Sequence, residues 1–208
     1  MKAKALLVAG LVLGAATSAF AQGTVYSVNA VGFVNKTLLP GFSLISNPLN
    51  APTNTLNALL PAGSVPNGTA IYKFDGTSFS SSFFFGTWVP NFTVVPGEGF
   101  FIRNPVGTNI TITFVGNVQQ GTLTTSLPAG FWIASSQVPQ SGEVETVLGL
   151  PVANGNSVYR FNPTNQQYSS SFYFAGWGGN EPRVDVGEAF FVNRATPVSW
   201  TRVFSVSQ

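Results

Sequence analysis

The chain of 208 residues contains no His and no Cys, and charged residues make up only 8% of it. These absences exclude disulfides, thiol nucleophiles, His-based catalytic triads and the usual zinc and copper ligand sets. Nine basic residues stand against seven acidic ones, so the net charge is too small to attract nucleic acid or anionic lipid strongly.

The first predicted element is a secretory signal peptide in residues 1–21. Lys2 and Lys4 precede an apolar run over 5–16, and Ala19-Phe20-Ala21 has the small-x-small pattern of a cleavage site. The run is shorter than the roughly 20 residues that span a bilayer, so we expect export with no transmembrane helix after processing. The mature protein is then expected in the periplasm, at the cell surface or in the extracellular medium. Loss of the two lysines leaves seven basic and seven acidic residues, which makes nucleic acid an unexpected partner.

An internal repeat dominates the remaining chain. The block 72–104 returns as 159–194, and within it Ser80, Ser81, Ser82, Phe83, Phe85 and Trp88 recur unchanged as Ser169, Ser170, Ser171, Phe172, Phe174 and Trp177. A repeat of this length predicts two tandem domains, residues 22–118 and 119–208. The matched pairs expected to superpose in the cores are Phe42 and Phe131, Tyr72 and Tyr159, Phe83 and Phe172, and Phe100 and Phe190.

Short strands bounded by turn residues follow one another in each half. The predicted strands of the first half are 24–34, 42–46, 71–74, 79–85, 100–102 and 110–115, and those of the second half include 131–135, 158–161 and 198–206. The stretch 111–118 is the expected counterpart of 24–34 before the second repeat.

One short helical turn is predicted in each half. Leu56, Leu59 and Leu60, and likewise Val144, Val147 and Leu148, have i, i+3, i+4 spacing. With turn signals at about every 8 to 12 residues, the whole pattern predicts an all-β fold of two small antiparallel β-sandwich or barrel-like domains.

Three motifs in this order resemble a recurring β-rich module of exported bacterial proteins. They are Gly41–Leu49 (G-aromatic-x-L-I-S-x-P), Ile71–Gly76 (I-Y-x-aromatic-D-G) and Pro96–Ile102 (P-G-x-G-aromatic). The second copy departs from the motifs at Ser136-Gln137, which stands in place of Asn-Pro, and at Ala189, which replaces Gly. The resemblance implies an extracytoplasmic module, usually without known catalysis, and supplies no functional residues.

Carboxylates are the remaining candidates for acid–base chemistry, and only Glu98 and Glu188 are matched between the halves. Two carboxylates in separate domains are expected to lie farther apart than the roughly 5 to 10 Å of glycosidases. We expect each to accept hydrogen bonds from turn amides instead. The serine rows 80–82 and 169–171 have no neighbouring base and no G-x-S-x-G elbow. The sequence therefore predicts no catalytic residue, no metal site and no cofactor.

Trp88 and Trp177 are the candidate ligand-binding residues. Each follows a corner of small residues, and an exposed indole ring stacks well on a sugar face. Burial in the core is the other interpretation of both rings, and the sequence leaves the choice between them open.

The favoured function is that of a non-catalytic exported structural or adhesive protein of the cell envelope or extracellular matrix. Its expected partners are further copies, joined through exposed strand edges, or other envelope components. A carbohydrate-binding protein that holds polysaccharide through Trp88 and Trp177 is the first alternative. A small outer-membrane barrel is the second, although the predicted strands are shorter than the 9 to 11 residues that such a span requires.

Overall fold

The computed structural model describes residues 30–206, and the predicted signal peptide and the first part of the strand predicted at 24–34 lie outside them. Strands account for the secondary structure of these residues apart from one short helix, and every strand pair is antiparallel. The predicted all-β class is confirmed.

The elements of the first half are β1 Val31–Leu38, β2 Gly41–Ser46, α1 Leu56–Leu59, β3 Ala70–Phe74, β4 Phe79–Phe84, β5 Trp88–Val89, β6 Gly99–Asn104 and β7 Ile110–Asn117. Those of the second half are β8 Gly121–Leu127, β9 Gly130–Ser135, β10 Gly142–Glu143, β11 Ser157–Asn162, β12 Gln167–Phe172, β13 Arg183–Val184, β14 Ala189–Arg194 and β15 Val198–Phe204.

The main sheets of the two halves have the same strand order. In the first half the order is β2-β6-β3-β4-β5, and in the second it is β9-β14-β11-β12. A two-stranded sheet accompanies each, β1 with β7 and β8 with β15, and β10 pairs with β13. Within residues 30–206 no sheet closes into a barrel or combines strands from both halves. The division into two independent domains stays a prediction.

Each half is a two-layer sandwich because alternate residues of its main sheet face its two-stranded sheet. In the first half, Ile71 and Phe100 of the main sheet pack in one cluster with Ile112 and Phe114 of β7. In the second half, Phe190 packs in the corresponding cluster with residues of β8 and β15. Phe100 and Phe190 are buried, as the repeat predicts.

Three of the matched residues expected in the cores are exposed instead. Phe83 and Phe172 have 42% and 57% of their surface accessible, and Phe131 is exposed as well. The reason is strand alternation: in β4 the side chains of Ser82 and Phe84 face the core, which turns Phe83 to the opposite face. The predicted burial of these residues is therefore wrong, although Phe83 and Phe172 occupy corresponding strand positions.

The first predicted helical turn is confirmed by α1, whereas the second is present as hydrogen-bonded turns and not as a regular helix. Residues 144–148 form consecutive turns. The Val147 and Gly149 amides donate to the Glu143 and Glu145 carbonyl oxygens at 3.2 and 2.9 Å, the four-residue span of an α-helix. Gly149 follows with a φ of 72°, so the segment ends before a regular helix can continue.

The strand that opens the second half is β8 at 121–127, so the expectation that 111–118 is the counterpart of 24–34 is wrong. Residues 110–117 form β7, which pairs with β1 along its whole length and so closes the first half. The Thr-rich β8 has a weak apolar pattern, and its pairing with β15 fixes it as a strand.

Candidate functional site

Trp88 lies in the core of the first half with 1% of its surface exposed. Its indole Nε1 donates to the Leu60 carbonyl oxygen at 2.9 Å, and its ring packs on Phe84 with a centroid separation of 5.3 Å. The exposure that sugar stacking requires is therefore absent at Trp88.

Trp177 has a different environment from its matched partner. It is partly buried against the core of the second half, and its Nε1 donates to Glu145 Oε2 at 2.8 Å. Its ring stands edge-on to Tyr173 with the centroids 5.3 Å apart. The two indoles belong to the clusters of different halves, so the structure does not bring them together as one site.

Glu98 and Glu188 serve the same structural role in each half. Glu98 pairs with Lys73 at 2.6 Å and accepts the Val95 amide at 3.2 Å. Glu188 makes two hydrogen bonds to the Arg160 guanidinium, at 2.8 and 3.0 Å, and accepts the Asp185 amide at 2.9 Å. The predicted hydrogen bonds from turn amides are confirmed at both carboxylates.

The outstanding surface feature is a cluster of twelve aromatic rings on the outer faces of the two main sheets. It consists of six sequence-matched pairs: Phe42 and Phe131, Tyr72 and Tyr159, Phe74 and Phe161, Phe79 and Tyr168, Phe83 and Phe172, and Phe101 and Phe191. We call these rings the aromatic cluster. The same period-2 alternation that buries Phe84 and Phe100 in the core places the cluster on the opposite face of each sheet.

Ring contacts within one half of the aromatic cluster repeat in the other. The centroids of Phe42 and Tyr72 are 5.7 Å apart, and those of Phe131 and Tyr159 are 5.6 Å apart. The offset and edge-on arrangements that aromatic rings prefer occur throughout these pairs.

The two halves also meet through the aromatic cluster. Phe74 contacts Phe191 at 5.6 Å between centroids, and the matched contact of Phe161 with Phe101 is 5.2 Å. Phe101 and Phe191 contact each other at 6.3 Å. Because these ring contacts between the halves are matched, the halves are related by an approximate twofold axis that passes near the Phe101–Phe191 contact.

Backbone contacts follow the same twofold relation. The Ser46 amide donates to the Gly187 carbonyl oxygen at 3.0 Å, and the matched Ser135 amide donates to Gly97 at 3.2 Å. The side chain of Gln166 additionally accepts from the Phe42 amide at 2.9 Å and donates to the Phe42 carbonyl oxygen at 3.0 Å. These bonds hold the rings of one half against those of the other.

Two grooves open on the aromatic cluster. One, of about 630 Å³, is lined by Phe42, Tyr72, Phe79, Phe101, Phe161, Gln166 and Tyr168. The other, of about 400 Å³, is lined by Phe131, Tyr159, Tyr168 and Phe191. Four rings of the first groove, Phe42, Tyr72, Phe79 and Phe101, match the four of the second. Among the described residues no charged side chain lines either groove.

A polar cleft of about 360 Å³ lies elsewhere between the halves and includes Lys36, Arg160, Asp185 and Glu188. Lys36 Nζ donates to the Val186 carbonyl oxygen at 3.0 Å. Burial lowers the pKa of the Lys36 ammonium, and the charges of Glu188 and Asp185 oppose this effect. Two positive and two negative side chains balance in this cleft, so it offers no excess charge to an ionic ligand.

The part of the chain that the structure describes contains no group of three or more carboxylates placed to hold a metal ion. Nor does it contain a helix long and apolar enough to cross a membrane. Its functional candidate is therefore the aromatic cluster. The sequence signal for it is the pair Phe79 and Phe83 on either side of three serines, a pattern repeated at Tyr168 and Phe172.

Comparison with known proteins found no matching family model, no matching curated protein and no matching solved structure.

Proposed function

We propose that this is a non-catalytic exported protein with a structural or adhesive role, and that it binds an apolar partner through the aromatic cluster. The observation that carries the proposal is the exposure of the rings. Five of them, Phe79, Phe83, Phe131, Tyr168 and Phe172, keep between 42% and 57% of their surface accessible.

The exposed area equals that of the largest apolar patch on a typical soluble protein. With about 200 Å² for a whole aromatic side chain, these five rings expose about 500 Å². The largest patch of a monomer covers about 300–600 Å² and often has a binding function, since burial of apolar area contributes about 25 cal/mol per Å². The neutral lining of both grooves favours a neutral, apolar partner.

The ring types favour an apolar partner over a sugar. Nine of the twelve rings are Phe, which has no hydroxyl or N–H group with which to recognise a sugar hydroxyl. The amide of Gln166, the one non-aromatic side chain that lines the larger groove among the described residues, is already bonded to Phe42 and to the Pro163 carbonyl oxygen. Polysaccharide binding through the same grooves is the competing outcome that the experiment must distinguish.

The test compares two double variants with the wild type. Phe83→Ser with Phe172→Ser removes two exposed rings of the cluster, whereas Phe33→Ser with Val203→Ser removes comparably exposed apolar side chains from β1 and β15. Retention is measured on an isolated bacterial cell-envelope fraction and on insoluble cellulose and chitin, with circular dichroism to confirm the fold of each variant.

We expect the wild type and the β1/β15 variant to be retained on the envelope fraction, and the cluster variant to lose most of that retention. Equal retention of both variants would contradict a role for the cluster. Retention on the polysaccharides alone, abolished in the cluster variant, would replace the adhesive function with carbohydrate binding.

A further inference from the structure

We infer that the apolar partner of the aromatic cluster is a second copy of this chain, so that two molecules associate face to face through their clusters. The inference rests on the proposed function, because it assumes that the cluster is a binding surface. It adds the identity of the partner.

The cluster carries complementary shapes on one face. Phe83 and Phe172 project as exposed rings, and the grooves beside them have volumes of about 630 and 400 Å³. An apolar cavity of about 150 Å³ already holds a benzene molecule. Each groove can therefore receive a phenyl ring, and one molecule supplies both the rings and the grooves that a second molecule needs.

The approximate twofold axis through the Phe101–Phe191 contact makes the cluster suitable for self-association. A homodimer interface is isologous: the same patch is used on both subunits, and residue i meets j where j meets i. In the aromatic cluster, each half of the chain presents matched rings and a matched groove. Either half of one molecule can therefore face either half of a second molecule.

The exposed rings supply a large part of the area that a dimer needs. The five exposed rings of the cluster present about 500 Å², compared with the roughly 800 Å² that each partner buries in a specific interface. The absence of charged side chains from the groove linings removes the repulsion that like charges would cause between identical surfaces.

The experiment is sedimentation equilibrium on the mature chain, residues 22–208, over a wide concentration range. It includes the cluster variant Phe83→Ser with Phe172→Ser and the control Phe33→Ser with Val203→Ser. We expect the wild type and the control to dimerise, and the cluster variant to have a dissociation constant raised about tenfold or more for each ring lost, as for interface hot spots.

A wild type that remains monomeric up to its solubility limit would overturn the inference, and so would a control variant that dissociates as readily as the cluster variant. If the wild type is monomeric, and envelope retention is lost in the cluster variant but not in the control, the proposed function stands and the second copy is the wrong partner. If neither dimerisation nor retention depends on the cluster, both proposals fail.

Discussion

At the scale of single residues, the closest approach of the two halves depends on a missing side chain. A Cβ atom at Gly99 would lie 2.3 Å from Ile133 Cγ2 and 2.5 Å from Ala189 Cβ. Such distances are far inside van der Waals contact. Ala189 is the residue matched to Gly99, so the position near the twofold axis has room for one Cβ atom and not for two.

We expect Gly99→Ala to destabilise the protein by about 1–3 kcal/mol, the usual cost of overpacking a well-packed core. Ala189→Gly in the same chain should restore part of this loss, because it removes one of the two clashing atoms while Ile133 remains. Chemical denaturation of both single variants and the double variant gives the coupling energy. Strictly additive effects would show that the two positions do not contact each other.

Gly99 also explains the departure of the second half from the motif at Ala189. The sequence shows this difference as a lost glycine, and the position of Ala189 against the other half gives the physical reason. A motif describes one half at a time, so it cannot show which of its glycines lies at a contact between halves.

At the scale of elements, the sequence predicts where the strands lie, but it does not predict which face of each strand is buried. The predicted strands 42–46, 71–74 and 100–102 lie within β2, β3 and β6, since β-branched and aromatic runs bounded by turn residues determine them locally. In β4, however, both faces carry Phe, and period-2 alternation alone does not indicate which face is covered.

The features that the sequence did not predict depend on contacts between residues far apart in the chain. The strand β8 depends on its partner β15, which lies more than 70 residues away in the chain. Trp88 and Trp177 have identical local sequence signals, yet one is bonded to Leu60 and the other to Glu145. The sequence does not predict that the rings of the aromatic cluster are exposed, because strongly hydrophobic residues normally lie in the core.

Strands β4 and β6 provide a test of which face is the core. We expect Phe100→Ala to cost about 3–5 kcal/mol, because Phe100 is fully buried and its removal leaves a cavity. Phe83→Ala should cost less than about 1 kcal/mol in the same denaturant assay at a protein concentration low enough to keep the chain monomeric, because 42% of that side chain is exposed in the single molecule. Comparable losses in the two variants would mean that both faces of the sheet are covered in solution, as a tight dimer would cover them. Sedimentation of the same samples shows whether a dimer is present.

At the scale of the whole molecule, the contact between the halves resembles a homodimer interface made within one chain. Leu44 and Phe101 of the first half and Ile133, Ala189 and Phe191 of the second form a buried cluster separate from both cores. The matched bonds from Ser46 to Gly187 and from Ser135 to Gly97 flank it. An interface of this kind is expected to hold its two sides together without the connecting chain.

Separately produced fragments 22–118 and 119–208 are therefore expected to associate one to one when mixed, with native mass spectrometry and circular dichroism as the measurements.

The symmetry makes a sharper distinction possible. Two copies of 22–118 would place Gly99 opposite Gly99, which leaves space, whereas two copies of 119–208 would place Ala189 opposite Ala189, where the Cβ atoms compete for the room that Gly99 provides. We accordingly expect the first fragment to form homodimers more readily than the second. Gly99→Val should abolish association of 22–118 with 119–208, because its branched side chain would overlap Ile133 and Ala189. Two results would contradict this expectation: folded fragments that do not associate, or a valine variant that associates as the wild-type fragment does. Either would show that the buried cluster contributes little to the association of the halves and that the connecting chain keeps them together.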